Sequence, residues 1–331
     1  MSKDTTKKGD IQEKNLFSFS DVLPDKKIQV DFNAPDLSSN GGLVLVGLMK
    51  ESIAQKVARL IPDHRNQLFV QHSYEEMVCQ RVGQIMCGYE DANDCDRLRH
   101  DSALKMSVGR KASDPDLCSQ PTMTRLENHL DKKTLWAIAE LFVKDYMSSF
   151  DKAPRKIILD VDDTNANTYG AQQLSLFNDY YDEYSKSWKY KQRVIAKIEV
   201  TDKGVNIRFI VTSNRNNKPE TVYRRYCKRG TMELWIKDLK YFRADRMSCS
   251  SFKANMFHLF LYGAAYVTAY RLKSKAFSNT EVEVFTMDSF MKRIMLSAVF
   301  ITEKKTFVRF SFSPHHRHLE AISQALTSLS A

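Results

Sequence analysis

The sequence predicts an α/β middle flanked by mainly helical N- and C-terminal regions, and three observations carry that reading. Apolar residues recur three and four apart over residues 43–60, 74–87 and 135–147, the spacing of amphipathic helices. The period changes at Lys156, where Ile157-Ile158-Leu159-Asp160-Val161-Asp162 is a short apolar run ending in carboxylates, which suits a buried strand delivering acids to its C-terminal edge. Residues 193–200 and 205–212 then read as two strands joined by the turn Thr201-Asp202-Lys203-Gly204.

The elements follow in order. Residues 1–40 start Lys-rich and end in Ser38-Ser39-Asn40-Gly41-Gly42, a flexible arm and turn. A helical region spans residues 41–154; within it Pro121 and the Thr124–Glu127 capping-box spacing predict the start of a short helix. That helix suits the groove-lying element of a helix-turn-helix, and a plain core helix carries the same caps and is the simpler reading. The core occupies residues 155–246, where Pro219-Glu220 opens one long helix running to about Lys240. The C-terminal region, residues 247–331, is helical, with a strand over residues 306–312 and a short terminal helix. Its longest apolar stretch, residues 256–270, is broken by His258 and Gly263 and is shorter than the roughly 20 residues of a membrane span, so it reads as a buried core helix.

Composition narrows the function classes. With 43% apolar and 27% charged residues, and only 11 Gly and 8 Pro, the chain is a packed protein rather than a disordered or fibrous one. Six cysteines without a C-x-x-C pair, and no signal-like apolar run in the first 40 residues, predict reduced thiols and a cytoplasmic, nucleoid-associated location. The net charge of +10 is a patch: residues 186–246 hold 17 Lys and Arg against 6 Asp and Glu, a net of +11, and the remainder sums to −1. A cationic stretch of that kind points to a polyanion.

Two constellations carry chemistry. In a strand Asp160 and Asp162 project to one side while Asp163 points away, and two adjacent carboxylates call for a proton or a hard cation between them. The run Ile157-Ile158-Leu159-Asp160-Val161-Asp162-Asp163-Thr164 resembles the motif of haloacid-dehalogenase-like phosphatases, which would make Asp160 the nucleophile and Asp162 the general acid. Asp238 and Asp245 are the late candidates for that fold's paired-acid loop, and their cationic, helical setting suits the role poorly. The second constellation is Tyr226-x2-Arg229-x3-Glu233-x6-Lys240. At about 100° per residue these four positions fall within roughly 60° of one another on a single helix, so one acid is ringed by two cations and an aromatic. An i, i+4 ion pair between Arg229 and Glu233 is the bland alternative.

With these residues the chain resembles the DDE transposases of bacterial insertion sequences, in the group with a Tyr-Arg-Glu-Lys signature around the catalytic Glu. The residues 88–101, Ser119-Gln120-Pro121-Thr122, Asp160-Val161-Asp162-Asp163-Thr164 and Tyr169-Gly170-Ala171-Gln172-Gln173 resemble other stretches of the same family. The resemblance implies an RNase H-like core, a DNA-binding role for residues 41–154, Asp162 and Glu233 as catalytic metal ligands for Mg²⁺ (or Mn²⁺), and Asp160 as a same-face neighbour of Asp162. It implies DNA contacts from Tyr226, Arg229 and Lys240, with Arg225 and Lys237 beside them, and double-stranded DNA, both transposon ends and target, as the partner. Family analogy also points to a homodimer on paired ends and to no membrane partner.

The resemblance skips a block. Ser185-Lys186-Ser187-Trp188-Lys189-Tyr190 leads straight to Lys191-Gln192-Arg193-Val194, which already resembles the segment beyond the second catalytic Asp, and Asp202 sits in a turn rather than at a strand end. The expected core is therefore incomplete, and a DNA-binding remnant without strand cleavage is a further reading. Tyr180, Tyr181, Tyr184, Trp188 and Tyr190 interleave with lysines as base-stacking residues would, or as a core edge would. His315-His316-Arg317-His318 reads as a solvated turn.

Overall fold

A computed structural model describes residues 34–154, 193–202 and 204–330, with the strands at 17–19, 28–30 and 167–168; for residues 201 and 229–232 only the backbone is described. Asp160, Asp162 and Asp163, their strand, and the aromatic run of residues 180–190 lie outside the described residues.

Within the arm expected over residues 1–40, β1 (Phe17–Phe19) pairs antiparallel with β2 (Ile28–Val30). The stretch read as a loose turn is tied down. β3 (Leu37–Ser38) adds to a sheet in the order β3-β8-β9, with β8 at Val299–Glu303 and β9 at Val308–Phe312. Gly41 and Gly42 donate their N–H groups to Ser297 O and Met295 O at 2.8 and 3.1 Å. A Cβ on Gly42 would lie 2.4 Å from Met295 Cα, so this glycine is required by close backbone approach.

The N-terminal helices follow their caps. The span expected as one helix over residues 43–60 is α1 (Leu43–Gly47) and α2 (Ile53–Ala58), separated because Ser52 and Gln55 form a full capping box that starts a new helix. Ser73 accepts from Glu76 N to open α3 (Tyr74–Met86), which ends before Gly88 at φ +84°. Next come α4 (Asp94–Leu98), α5 (Ser102–Ser107), α6 (Gln120–His129) and α7 (Lys132–Met147), the last capped by Asp131 on Thr134 N at 2.7 Å. The helix start near Pro121 is present, but α6 begins at Gln120 without a side-chain cap bond. The Thr124–Glu127 capping box does not form: Glu127 is buried and engaged elsewhere.

After β4 (Asn167–Thr168), the hairpin β5 (Arg193–Thr201) and β6 (Gly204–Thr212) appears in the expected register, from Arg193↔Thr212 to Thr201↔Gly204. The helix expected from Pro219 to Lys240 is two, α8 (Pro219–Cys227) and α9 (Arg229–Tyr241), which meet at Lys228. Then β7 (Arg246–Met247) leads to α10 (Phe252–Arg271), followed by α11 (Met287–Phe290), β8, β9 and α12 (Leu319–Ser330). The core helix read from residues 256–270 is α10, which packs against α2, α3, α6, α7 and α9. The strand β8 lies in a stretch read as helical.

One hydrophobic core joins both ends of the chain. It runs from Leu43, Val57, Met77, Ile85 and Ile138 to Phe257, Leu261, Phe290, Ile294 and Ile322. The hairpin has its own small cluster of Ile195, Ile210 and Val222, with Tyr223 against it. Burying each such aliphatic side chain contributes about 1.5–3 kcal/mol, so the large cluster dominates the stability of the described chain. The molecule is thus a mixed helix and strand fold, and no helix among the described residues is long and apolar enough to cross a membrane.

Candidate nucleic-acid interface

The described part of the basic stretch, from residue 193 onward, forms the hairpin, α8 and α9. Val222 on α8 packs on Ile195 and Ile210, which fixes the helix against one face of the hairpin. On that face Lys197 Nζ lies 3.0 Å from Tyr223 Oη and 4.2 Å from its ring centroid, and it is paired with Glu199. Hydrogen bonds to Glu199 and then Tyr223 hold the Lys197 ammonium above the ordinary lysine pKa. The loop leading into α8 is clasped by Arg193, whose Nη1 donates to the carbonyls of Asn214, Arg215 and Asn217 at 3.1, 3.2 and 2.7 Å.

With that frame in place, Arg215, Lys218, Arg224, Arg225 and Lys228 are all exposed along the loop and α8. With the Asn217 amide oriented to offer its oxygen, Arg225 Nη1 donates to it at 2.7 Å, which aims the guanidinium. Tyr226 is 48% exposed, enough to lie against a ligand. Glu233 and Lys237 are exposed on α9 and Lys240 is half-buried. Downstream, Arg243 holds φ +65°, and Glu90 from the helical core receives Arg246 Nη1 at 3.0 Å and lies 3.9 Å from Arg243 Nε. These contacts moor the end of the basic stretch to the core.

The break at Lys228 changes the geometry of the second constellation. Tyr226 belongs to α8, while Arg229, Glu233 and Lys240 belong to α9. Their offsets of 4 and 11 from Arg229 still return to within roughly 40° of one helix face, so the three α9 positions share a side and Tyr226 stands on the preceding helix. Lys228 keeps helical angles, φ −68° and ψ −18°, and the sequence's signal for a break is Gly230, two residues on, rather than a residue at the break itself.

The first constellation is approached from its downstream end. Asn167 and Thr168, a few residues after Asp162, pair in parallel with Arg246 and Met247, directly after α9. Backbone pairing therefore joins the segment beyond the acidic run to the segment beyond α9. Asp160 and Asp162 themselves, and the Arg229 side chain, are outside what the structure describes.

Sequence reading missed a second polar centre. Glu127 on α6 accepts from Arg81 Nε at 3.0 Å and lies 2.8 Å from His258 Nε2, and Cys249 Sγ is 3.6 Å from the same nitrogen. Burial opposes charge on His258, yet hydrogen bonds with Cys249 and Glu127 push its pKa up to about 9. Burial likewise acts to raise the Glu127 pKa, and the contacts with His258 and Arg81 overcome it and bring it below the ordinary value. These residues are too far apart in sequence for any spacing rule to have joined them. The tail histidines also differ from a solvated turn: His318 is buried with Nδ1 3.0 Å from Glu281, and His316 Nε2 lies 2.9 Å from Ser297 Oγ.

No curated protein and no solved structure matches the chain. The family model described as Transposase DDE domain group 1 does match, over residues 20–186 and again over residues 184–331, two stretches that meet at residues 184–186. The match takes in the acidic run of residues 157–164, the hairpin and α8–α9, and it displaces the phosphatase reading of Asp160 and Asp162. The chain belongs to the DDE transposases, in the group whose DDE domain it carries from residue 20 to residue 331.

Proposed function

We propose that this chain is an insertion-sequence transposase that binds the terminal inverted repeats of its element and lacks part of its RNase H-like core. The observation that carries the reading is the family match in two stretches meeting at residues 184–186, a few residues before Lys191-Gln192-Arg193-Val194, which resembles the segment beyond the second catalytic Asp. The parallel pairing of β4 with β7 supports the core assignment, because parallel neighbours require a long crossover and here it carries the hairpin and α8–α9.

In this reading Asp162 and Glu233 hold Mg²⁺ (or Mn²⁺), with Asp160 beside Asp162. The exposed Glu233 carboxylate is a hard oxygen donor of the kind such ions select. When bound, the ions supply Lewis-acid stabilisation of the phosphodiester oxygens during in-line attack. Arg225, Arg229, Lys237 and Lys240 engage DNA phosphates, and Tyr226 positions the strand end. Family analogy makes the working unit a homodimer on paired ends. Without the second catalytic Asp, the chain grips DNA and cuts it poorly or not at all.

The test is an assay on the element's own terminal repeats. Retardation of repeat DNA with no Mg²⁺-dependent nicking is the expected result. Robust cleavage abolished by Asp162→Ala would overturn the incomplete-core reading, and absence of any DNA retardation would overturn the transposon-end reading.

A further inference from the structure

We propose that Glu127, Cys249 and His258 form a zinc site that fastens the end of the basic region to the helical core. Among the described residues these three side chains bring one ligand atom each to within 4.8 Å of one another. They come from α6, from the segment two residues beyond β7, and from the second turn of α10, so the site joins three separate parts of the chain.

The donor set is the kind zinc selects: a thiolate, an imidazole nitrogen and a carboxylate oxygen. With Zn–S near 2.3 Å and Zn–N near 2.0 Å, a tetrahedral ion sets sulfur and nitrogen about 3.5 Å apart and nitrogen and oxygen about 3.3 Å apart. Cys249 Sγ is 3.6 Å from His258 Nε2, and Glu127 Oε2 is 2.8 Å from it. The sulfur also lies 3.8 Å from His258 Nδ1, so ligation turns the thiol and the imidazole toward a common point at Nε2 and spreads the shorter edge. The ion replaces two protons, the one on Sγ and the one between Nε2 and Oε2, which leave to solvent. A water completes the tetrahedron.

The surroundings are those of an oriented ligand shell. Arg81 holds the other Glu127 oxygen at 3.0 Å and is itself fixed by the carbonyls of Tyr89 and Glu90. Asn255 clasps Cys249 by both backbone groups, accepting from its N–H at 3.0 Å and donating to its carbonyl at 2.9 Å. The His258 ring is backed edge-on by Tyr262, with centroids 6.1 Å apart. A plain buried hydrogen-bonded network explains the Arg81–Glu127–His258 contacts; it does not require a thiol against the same imidazole.

The test uses the full chain, purified reduced and loaded with Zn²⁺ alone, followed by removal of loosely held ion and elemental analysis. The expected result is about one zinc per chain and a raised Tm, with a thiolate-to-metal absorption band when Co²⁺ is substituted. Cys249→Ser loses the tightly held metal and the Tm gain, while Cys227→Ser, at an exposed thiol, keeps both. Should wild-type chain retain no zinc, or Co²⁺ bind without a thiolate band, or Cys249→Ser retain the metal in full, the proposal falls. The first two outcomes need no variant, so they decide the matter even where Cys249→Ser folds badly, and neither bears on DNA binding.

Discussion

Arg81 and Glu127, 46 residues apart, meet at 3.0 Å with side chains that are 1% and 4% exposed. A buried charge stripped of all its partners costs about 3–5 kcal/mol, and Glu127 keeps His258 at 2.8 Å when Arg81 is removed, so the cost here should fall below that range. Arg81→Met is therefore expected to lower the urea-unfolding free energy, by less than a fully stranded charge would. Glu127→Gln alone should cost more, because it takes the acid from both Arg81 and His258 at once.

Asp145 gives the chain an acid-side weakness. Burial acts to raise its pKa, but hydrogen bonds from Arg271 and Lys56, and their charges, hold it below the usual carboxylate value. A lowered folded-state pKa stabilises fully above the unfolded value of about 4 and is lost as pH falls through the folded value. Unfolding free energy should therefore decline below about pH 4, and Asp145→Asn should flatten that decline when stability is followed from pH 7 downward.

At Gly42 the constraint is space. The added Cβ of Gly42→Ala would stand 2.4 Å from Met295 Cα and 2.8 Å from Ile294 O, both backbone atoms that yield only by shifting the chain. Overpacking of that kind costs about 1–3 kcal/mol, to be read as a fall in the denaturation midpoint at unchanged slope.

DNA binding should be strongly salt-dependent. The slope of log K against log salt falls by about one for every phosphate left without its cation, so Arg225→Ala and Lys237→Ala should each flatten it by that step on any DNA sequence. Unchanged slopes in both variants would remove these residues from the interface.

The outer face of the hairpin is the remaining liability. Val194, Ile198, Val200, Val205, Ile207, Phe209 and Val211 are 45–80% exposed, and the register stacks them opposite one another on the side away from α8. Apolar faces of this kind drive association. Ile207→Lys with Phe209→Ser should lower the apparent mass in light scattering without shifting Tm.

Much of this was legible from the sequence, for identifiable reasons. The helices α3, α7 and α10 carry long apolar periods and strong Ser or Asp caps, and the hairpin alternates apolar and polar residues over Lys197–Val200 and Val205–Phe209 beside its turn. The break at Lys228 left no mark at its own position because that residue stays helical in its angles and the signal, Gly230, stands two residues on. Strand β8 hid because its five residues, alternating buried Val299 and Ile301 with more open neighbours, are too few to outweigh a helical context. Glu127 was misread because local spacing offered a cap, whereas its real partners, Arg81 and His258, arrive from 46 residues before and 131 residues after it.

The shared core has a consequence for how such a chain survives damage. Because α1–α7 close directly onto α10–α12, the described hairpin and α8, whose buried side chains form a small cluster of their own, contribute little to the scaffold, whereas the end of α9 with Phe242 and Ala244 is part of it. Substitutions in the hairpin and α8 should therefore weaken what those elements do while sparing the scaffold, so loss of activity and loss of protein become separable events.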